Sequence, residues 1–442
     1  MSVKVLTFLA FFSIACYLFF PSYSPNFDIF ANSVIGVPPV QSKQCDPDIA
    51  PFYIYDLPPR FSEPLIRNCS GFNPWKNMCP YFENQGMGQP LNKSSWYNTY
   101  QLTADMIFHG RAINHPCRTK DSSSALVFYI PFHTSLFVHA FGSDNNIARR
   151  EAIWFDLLDH ISSLPTFQRH GGHDHFLVSG HMAWNFIRPP KKDGEPSRLN
   201  DFLKFPQLSN VSALIIERNT LSNNQFGIPY PSYFHPQSDA EIRSWQDEVR
   251  RSDRTHLFAF VGGARHKGHG AESYRTAVIS QCNRTESCLL LQCNFWGAVW
   301  DEVDEILGTL KRSHFCLQPP GDSSTRRSIF DSILTGCVPV FFTDLSAYLQ
   351  YEWYIPERRE DWSVLIGPDQ LYQIEEVLSQ IPEKEVERMR EVVIGMIPRV
   401  TYGHPNATWA EVGFRDAVDT ALVELTKRAR HIKDGTDASL EN

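Results

Sequence analysis

Residues 315–342 read FCLQPPGDSSTRRSIFDSILTGCVPVFF. A short apolar run halts at Pro319-Pro320-Gly321-Asp322. Three small hydroxyl residues and two arginines follow, an amphipathic segment runs to Gly336-Cys337, and a second apolar run begins. The pattern reads as strand, loop, helix, strand, because brief unbroken apolar runs bounded by turn formers suit strands buried on both faces. In an open parallel sheet, ligands bind at such strand-to-helix loops. Gly321 permits a sharp turn, Ser323, Ser324 and Thr325 offer hydroxyls and backbone N–H groups near a helix start, and Arg326 and Arg327 carry forks that match phosphate oxygens. The sum is an anion cradle. GxxxxGK[ST] is absent, so the loop suits a diphosphate held as a leaving group better than a γ-phosphate that is transferred. The competing reading is a helix capped by Asp322 or Ser323, with the arginines paired to Asp331 and Asp344 on the surface. Asp331 either accepts from ribose hydroxyls or pairs with Arg327 four residues earlier.

The same alternation extends in both directions. PFYIYDLP, ALVFYIPF, HFLVSG and SALIIERN, starting at 51, 125, 175 and 212, read as buried strands, with helical patterns near 95–113 and 147–162 between the first three. HLFAFVGG, CLLLQC, HFCLQPP and CVPVFF, starting at 256, 288, 314 and 337, form a second series, with helical stretches at 271–281, 299–312 and 323–335 and a largely helical tail over 367–431. Strand–helix alternation of this kind predicts α/β architecture with parallel sheets. Two such series predict two facing Rossmann-like domains with a cleft between them, at residues 49–254 and 255–442. A second Gly-rich loop, FAFVGGARHKGHG, offers Gly262 and Gly263 for close backbone approach and Arg265 and Lys267 for charge.

The 442 residues carry 41 Lys+Arg against 49 Asp+Glu, a formal charge of −8 that supplies no cationic field for nucleic acid. After Lys4, sixteen uncharged residues run to Phe20 and predict a membrane anchor over 1–20, with a cleaved signal peptide as the competing reading. Residues 21–48, rich in Pro, Ser and Asn, predict a stem. Five sequons (Asn68, Asn92, Asn210, Asn283, Asn406) and ten cysteines, nine of them beyond the anchor, fit a lumenal, oxidising compartment. Cys69 with Cys79, and Cys282, Cys288 and Cys293 among themselves, are spaced for local disulfides. Zinc would want paired CxxC spacing, which is absent. His170, His173 and His175 cluster in RHGGHDHF without a ligand-set spacing, so no metal is expected there.

The run LQPPGDSSTRRSIFDSILTGCVPVFF, with YIYDLPPRF, GIPYPSYFHP, the DHF of GGHDHFLVSGHMAWNFIR, and SAYLQYEWYIP, closely resembles the plant exostosin-like glycosyltransferase family, in its xyloglucan galactosyltransferase branch. The likeness runs from about residue 50 to 430. It implies a type II Golgi membrane protein of GT-B type that transfers a sugar from a nucleotide diphosphate with inversion at the anomeric carbon. Carried onto this chain, the donor site comprises Arg265, Gly321, Asp322, Ser323, Arg326, Arg327 and Asp331, and Lys267 is added by the charge of its loop. No metal or other cofactor is implied, because helix termini and arginines can neutralise the leaving diphosphate, and the one DxD, Asp46 to Asp48, precedes the first strand. The partners implied are a UDP-sugar, a polysaccharide acceptor, the membrane, and complexes with other Golgi glycosyltransferases. This chain departs from the branch at His173, His181 and Asn185, which stand in arginine, arginine and aspartate places.

Inverting displacement needs a base beside the acceptor hydroxyl. Asp56, His133, His181 and Glu217 fall at or just after the carboxyl ends of expected strands, and Asp174 just before one; Glu217 ranks first, with His181 and Asp174 behind it. The aromatics Trp96, Tyr97, Trp184, Phe186, Tyr230, Tyr233, Trp296 and Trp300 either stack on sugar rings or fill the core. The expected activity is transfer of galactose from UDP-galactose to xylosyl side chains of xyloglucan. Its rivals are a UDP-galacturonic or UDP-glucuronic acid donor, and a non-catalytic partner subunit; retention of both arginines and Asp331 argues against the latter.

Overall fold

The computed structural model describes residues 44–67, 69–72, 77–141, 146–186, 202–264, 272–292, 302–411 and 413–433. They build two sheets. The first runs β2-β1-β3-β4-β5-β6, from β1 (Phe52–Ile54), β2 (Arg118–Thr119), β3 (Val127–Ile130), β4 (His175–Ser179), β5 (Ser212–Ile215) and β6 (Gln225–Gly227). The second runs β11-β10-β9-β7-β8, from β7 (His256–Val261), β8 (Cys288–Leu291), β9 (Ser313–Gln318), β10 (Val338–Phe341) and β11 (Val364–Leu365). Every pairing in both sheets is parallel.

All eight strands expected from apolar runs are present. The three not expected, β2, β6 and β11, are edge strands of two or three residues, too short to show any periodicity. The helix expected over 323–335 is shorter and starts at Ser328, so the loop after β9 extends through Arg327. It ends where Gly336 takes φ +63° and Cys337 N–H bonds back to Ser332 O at 2.9 Å, a left-handed stop that lets the chain turn directly into β10.

The halves share one core. Residues Lys43–Asn442 form a single compact unit, and one buried apolar cluster runs from Phe52 and Val178 through Tyr233 and Trp245 to Phe330 and Val340. The helix Asp239–Arg250 joins the two sheets. Ser238 caps it by accepting from Glu241 N–H at 3.3 Å, and Trp245 donates to Leu334 O at 2.8 Å in the second half.

The expected division at 254/255 is crossed at the C-terminus. The helix Ala417–Lys433 packs on β3 and on the helix Ala104–Ile113 of the first half. A buried ion pair, Arg111 Nε to Asp416 Oδ2 at 2.9 Å, and a buried hydrogen bond, His115 Nε2 to Asp419 Oδ1 at 2.7 Å, fix it there. A removed partner would strand a buried charge, so this clamp is strongly held. The expected stem also ends earlier than residue 48. Asp46 accepts from Arg415 at 2.9 Å, Asp48 pairs with the same guanidinium, and Cys45 is bonded to Cys117. The DxD is therefore a latch on the body.

Cys69–Cys79 and Cys282–Cys288 form as expected, and Cys45–Cys117 and Cys316–Cys337 join them. Cys16 and Cys293 lie outside the described residues, as do the expected anchor at 1–20 and most of the stem. Among the described residues no helix is long and apolar enough to cross a membrane. In the histidine cluster, His175 bonds Asp174 through Nδ1 and Tyr55 OH through Nε2, each at 2.6 Å. Both nitrogens are occupied by protein, which leaves no lone pair for an ion.

Candidate active site at the junction of the sheets

Parallel strands deliver their following loops to one edge, and here the two carboxyl edges meet. Glu217 lies two residues beyond β5, and Pro319 directly follows β9. Across the junction, Glu217 Oε2 accepts from Ser323 Oγ at 2.5 Å and from Thr325 Oγ1. Tyr230 OH lies 3.0 Å from Thr325 Oγ1. A hydroxyl has one proton, so with Thr325 donating to the carboxylate it is Tyr230 that donates to Thr325. Glu217 is 8% exposed. Burial pushes its carboxyl up, while the bonds from Ser323 and Thr325 pull it back.

Two arginines shape the loop. Arg326, half-buried, donates through Nη1 to Pro319 O at 2.5 Å and lies 5.8 Å over the Phe260 ring. Arg275, from the helix Glu272–Cys282, donates to Pro320 O at 2.9 Å and to Gly263 O at 2.8 Å, tying the two candidate loops to each other. A Cβ on Gly262 would meet Phe260 Cζ at 2.9 Å and Arg326 Nη2 at 3.1 Å, so the glycine makes room for the arginine. Gly321 N–H bonds to Ser323 O at 2.8 Å, closing the turn, and Asp322 is exposed. Cys316–Cys337 pins β9 to the start of β10 on either side of this loop and its helix.

Arg327 and Asp331 lie deeper, where the two halves pack, and pair with each other as one of the two expected readings has it. Arg327 is 7% exposed and Asp331 is 3% exposed. Arg327 Nη1 donates to Thr99 O of the first half at 2.6 Å, its guanidinium stacks 3.5 Å over Tyr233, and Nε lies 3.4 Å from Asp331 Oδ2. Asp331 also accepts from Ser232 at 2.6 Å. Its carboxyl is pushed up by burial and drawn down by Arg327. The i,i+4 pair therefore forms, inside the junction. Arg327 Nη2 has no hydrogen-bond partner among the described residues, and the Tyr233 ring face beneath it supplies the compensating attraction. Asp344, the other surface partner expected, pairs instead with Arg359 at 2.8 Å.

The remaining base candidates separate by position. Asp174 precedes β4, on the opposite edge from Glu217, and is held by His175 at 2.6 Å and Arg169 at 3.4 Å. It lies on the far edge from the loop after β9, because a parallel sheet puts strand starts and strand ends on opposite edges. His181 follows β4 at the correct edge, and the segment after it touches the site: Ala183 N–H donates to Glu217 O at 2.8 Å. His181 Nδ1 lies 3.2 Å from Asn185 Oδ1, and burial pushes the imidazole down to about 3. It stays neutral throughout the physiological range. His133 is likewise buried, while Asp56 is exposed. Arg265, Lys267, Trp296 and Trp300 lie outside the described residues. Of the aromatics, Trp96, Phe186, Tyr230 and Tyr233 are core, and Trp184, beside Ala183, is 39% exposed. Reasoning from sequence missed Arg275, since a lone arginine in an amphipathic helix carries no signal of what its fork will hold.

The chain is 42% identical over 431 residues to the probable xyloglucan galactosyltransferase GT17 of Arabidopsis thaliana, covering 97% of this chain and 91% of that one. It is 37% identical to the xyloglucan galactosyltransferase MUR3 of the same plant, over 87% of this chain and 63% of MUR3. It is also 34% identical to the Arabidopsis xyloglucan-specific galacturonosyltransferase 1, over 85% of this chain and 56% of that protein. The exostosin GT47 domain matches residues 50–381, which takes in both sheets and the loop at their junction. On that match and those identities, this chain belongs to the exostosin GT47 family of glycosyltransferases.

Proposed function

We propose that the protein is an inverting GT-B-type galactosyltransferase that moves galactose from UDP-galactose to xylosyl side chains of xyloglucan, in the Golgi lumen behind a single N-terminal anchor. The observation that carries the reading is the contact of Glu217 with Ser323 and Thr325, which sets an acceptor-side carboxylate against a hydroxyl- and arginine-bearing loop of the other half. The names of the relatives favour the sugar and the acceptor. Four disulfides favour a secretory compartment.

In this reading the diphosphate lies on the loop after β9, and Arg326 neutralises the charge that grows as the C1–O bond breaks. Each hydroxyl has a single proton to give, so Ser323 and Thr325 cannot donate to Glu217 and to a phosphate oxygen together. An arriving nucleotide takes those bonds and leaves the carboxylate to accept the acceptor's proton as its oxygen attacks C1 from the far side. Burial raises the affinity of Glu217 for that proton, which is the direction a base needs.

The test is a donor screen with xyloglucan oligosaccharides, following UDP release with and without EDTA. Galactosyl transfer unaffected by EDTA is expected. A uronic acid donor is the second reading, favoured by the galacturonosyltransferase relative. Turnover with UDP-galacturonic acid and none with UDP-galactose would replace the first reading with the second.

A further inference from the structure

Away from the active site, a groove of about 640 Å³ opens between the halves, within the roughly 300–1,000 Å³ that holds a small ligand. Its walls are the hairpin tip at Leu91 and Asn92, Glu248 of the helix Asp239–Arg250, and Leu307, Gly308 and Lys311 of the helix Val303–Lys311. The floor is bare at Gly308, where an added Cβ would meet nothing within 4 Å. Glu248 bridges the rim, bonded to Lys93 at 3.2 Å and Lys311 at 3.0 Å. Glu305 adds a further carboxylate to the lining. Apolar patches beside carboxylates and an ammonium are what a pyranose offers its own faces and hydroxyls to.

We infer that this groove holds the first sugars of an N-linked glycan on Asn92. Asn92-Lys93-Ser94 is a sequon, exposed on a tight turn closed by Leu91 N–H to Trp96 O at 2.8 Å. The asparagine that would carry the glycan is itself part of the groove wall, so the attached sugars need no separate binding event. Other sequons are placed differently. Asn210 is half-buried, its amide nitrogen donates to Gly171 O at 3.0 Å, and its Ser212 is buried in β5. Asn283 is exposed on the turn between Cys282 and Cys288. In the modifying step the Asn92 amide nitrogen bonds to the anomeric carbon of an oligosaccharide carried on a lipid diphosphate. The bond from that carbon to the diphosphate oxygen breaks, and the amide releases one proton. The inference needs passage through the secretory pathway but not the donor sugar or acceptor proposed above. Once attached, the glycan spans from the first half to the helix Val303–Lys311 and fastens them together.

The experiment is glycopeptide mass spectrometry on the full chain from a plant secretory host, with thermal melting and hydrogen exchange on wild type, Asn92→Gln, Ser94→Ala and Asn283→Gln. A glycan at Asn92 is expected, lost in both Asn92→Gln and Ser94→Ala. Both should also lower Tm by about 2 °C or more and speed exchange in Val303–Lys311, with neither effect in Asn283→Gln. Recovery of the Asn92 peptide unmodified beside a glycosylated Asn283 peptide would overturn the assignment. A glycosylated Asn92 whose removal leaves exchange in that helix unchanged would overturn the groove.

Discussion

The adjacent arginines of the loop after β9 make opposite predictions although they are one residue apart. Arg327 is buried between Thr99 O, the Tyr233 ring and Asp331. Arg327→Ala leaves the Asp331 carboxylate buried with Ser232 still donating to it, and breaking a buried pair on one side costs about 3–5 kcal/mol. At about 2.1 cal/mol/K per residue, the unfolding entropy of a unit near 400 residues is roughly 0.8 kcal/mol/K. The expected fall in Tm is therefore about 4–6 °C. Arg327→Met with Asp331→Asn should recover part of it, because the second change removes the stranded charge. Arg326 is half-buried on the loop, so Arg326→Ala should move Tm little. It should instead lower kcat with UDP-galactose by about 2–4 kcal/mol of transition-state stabilisation, or roughly 30- to 1,000-fold. Differential scanning fluorimetry beside UDP-release kinetics reads both axes. An Arg327→Ala protein that melts like wild type yet no longer binds UDP would refute the reasoning, since it would make Arg327 a nucleotide ligand.

Two further outcomes follow from the junction. Glu217→Gln keeps shape and loses basicity, so kcat should fall about 10²- to 10⁴-fold; in nucleotide-free Ser323→Ala the carboxylate loses a bond that favours its ionised form, its proton affinity rises, and the acid limb of the kcat/KM–pH profile, which reports the free enzyme, should move to higher pH, an unmoved limb telling against Glu217 as base. Gly227→Ala places a Cβ 1.9 Å from Gln350 O, backbone of the other half; overpacking should lower stability by about 1–3 kcal/mol or more, read as Tm, and a wild-type Tm would mean the halves do not close on each other there.

Why some of this could be read from the chain and some could not comes down to what spacing encodes. The central strands were legible because burial on both faces demands unbroken apolar runs, and VFYI of β3 is buried throughout. The loop after β9 was legible because turn formers, hydroxyls and arginines sit together within ten residues. Arg327 and Asp331 show where that logic stops. Four residues on a helix guarantee that the two can touch, but not what fills the space in front of them. Here it is filled by Thr99, Ser232 and Tyr233, distant in sequence and brought in by the first half. Glu217's place after an expected strand put it on the correct edge and ahead of Asp174, which precedes one, and the parallel pairing of β4 with β5 sets the two on opposite edges. A residue's neighbour along the chain is fixed by covalent geometry; its neighbour across a junction is fixed by how two cores pack, and it is the second kind that separates a ligand-binding arginine from a structural one.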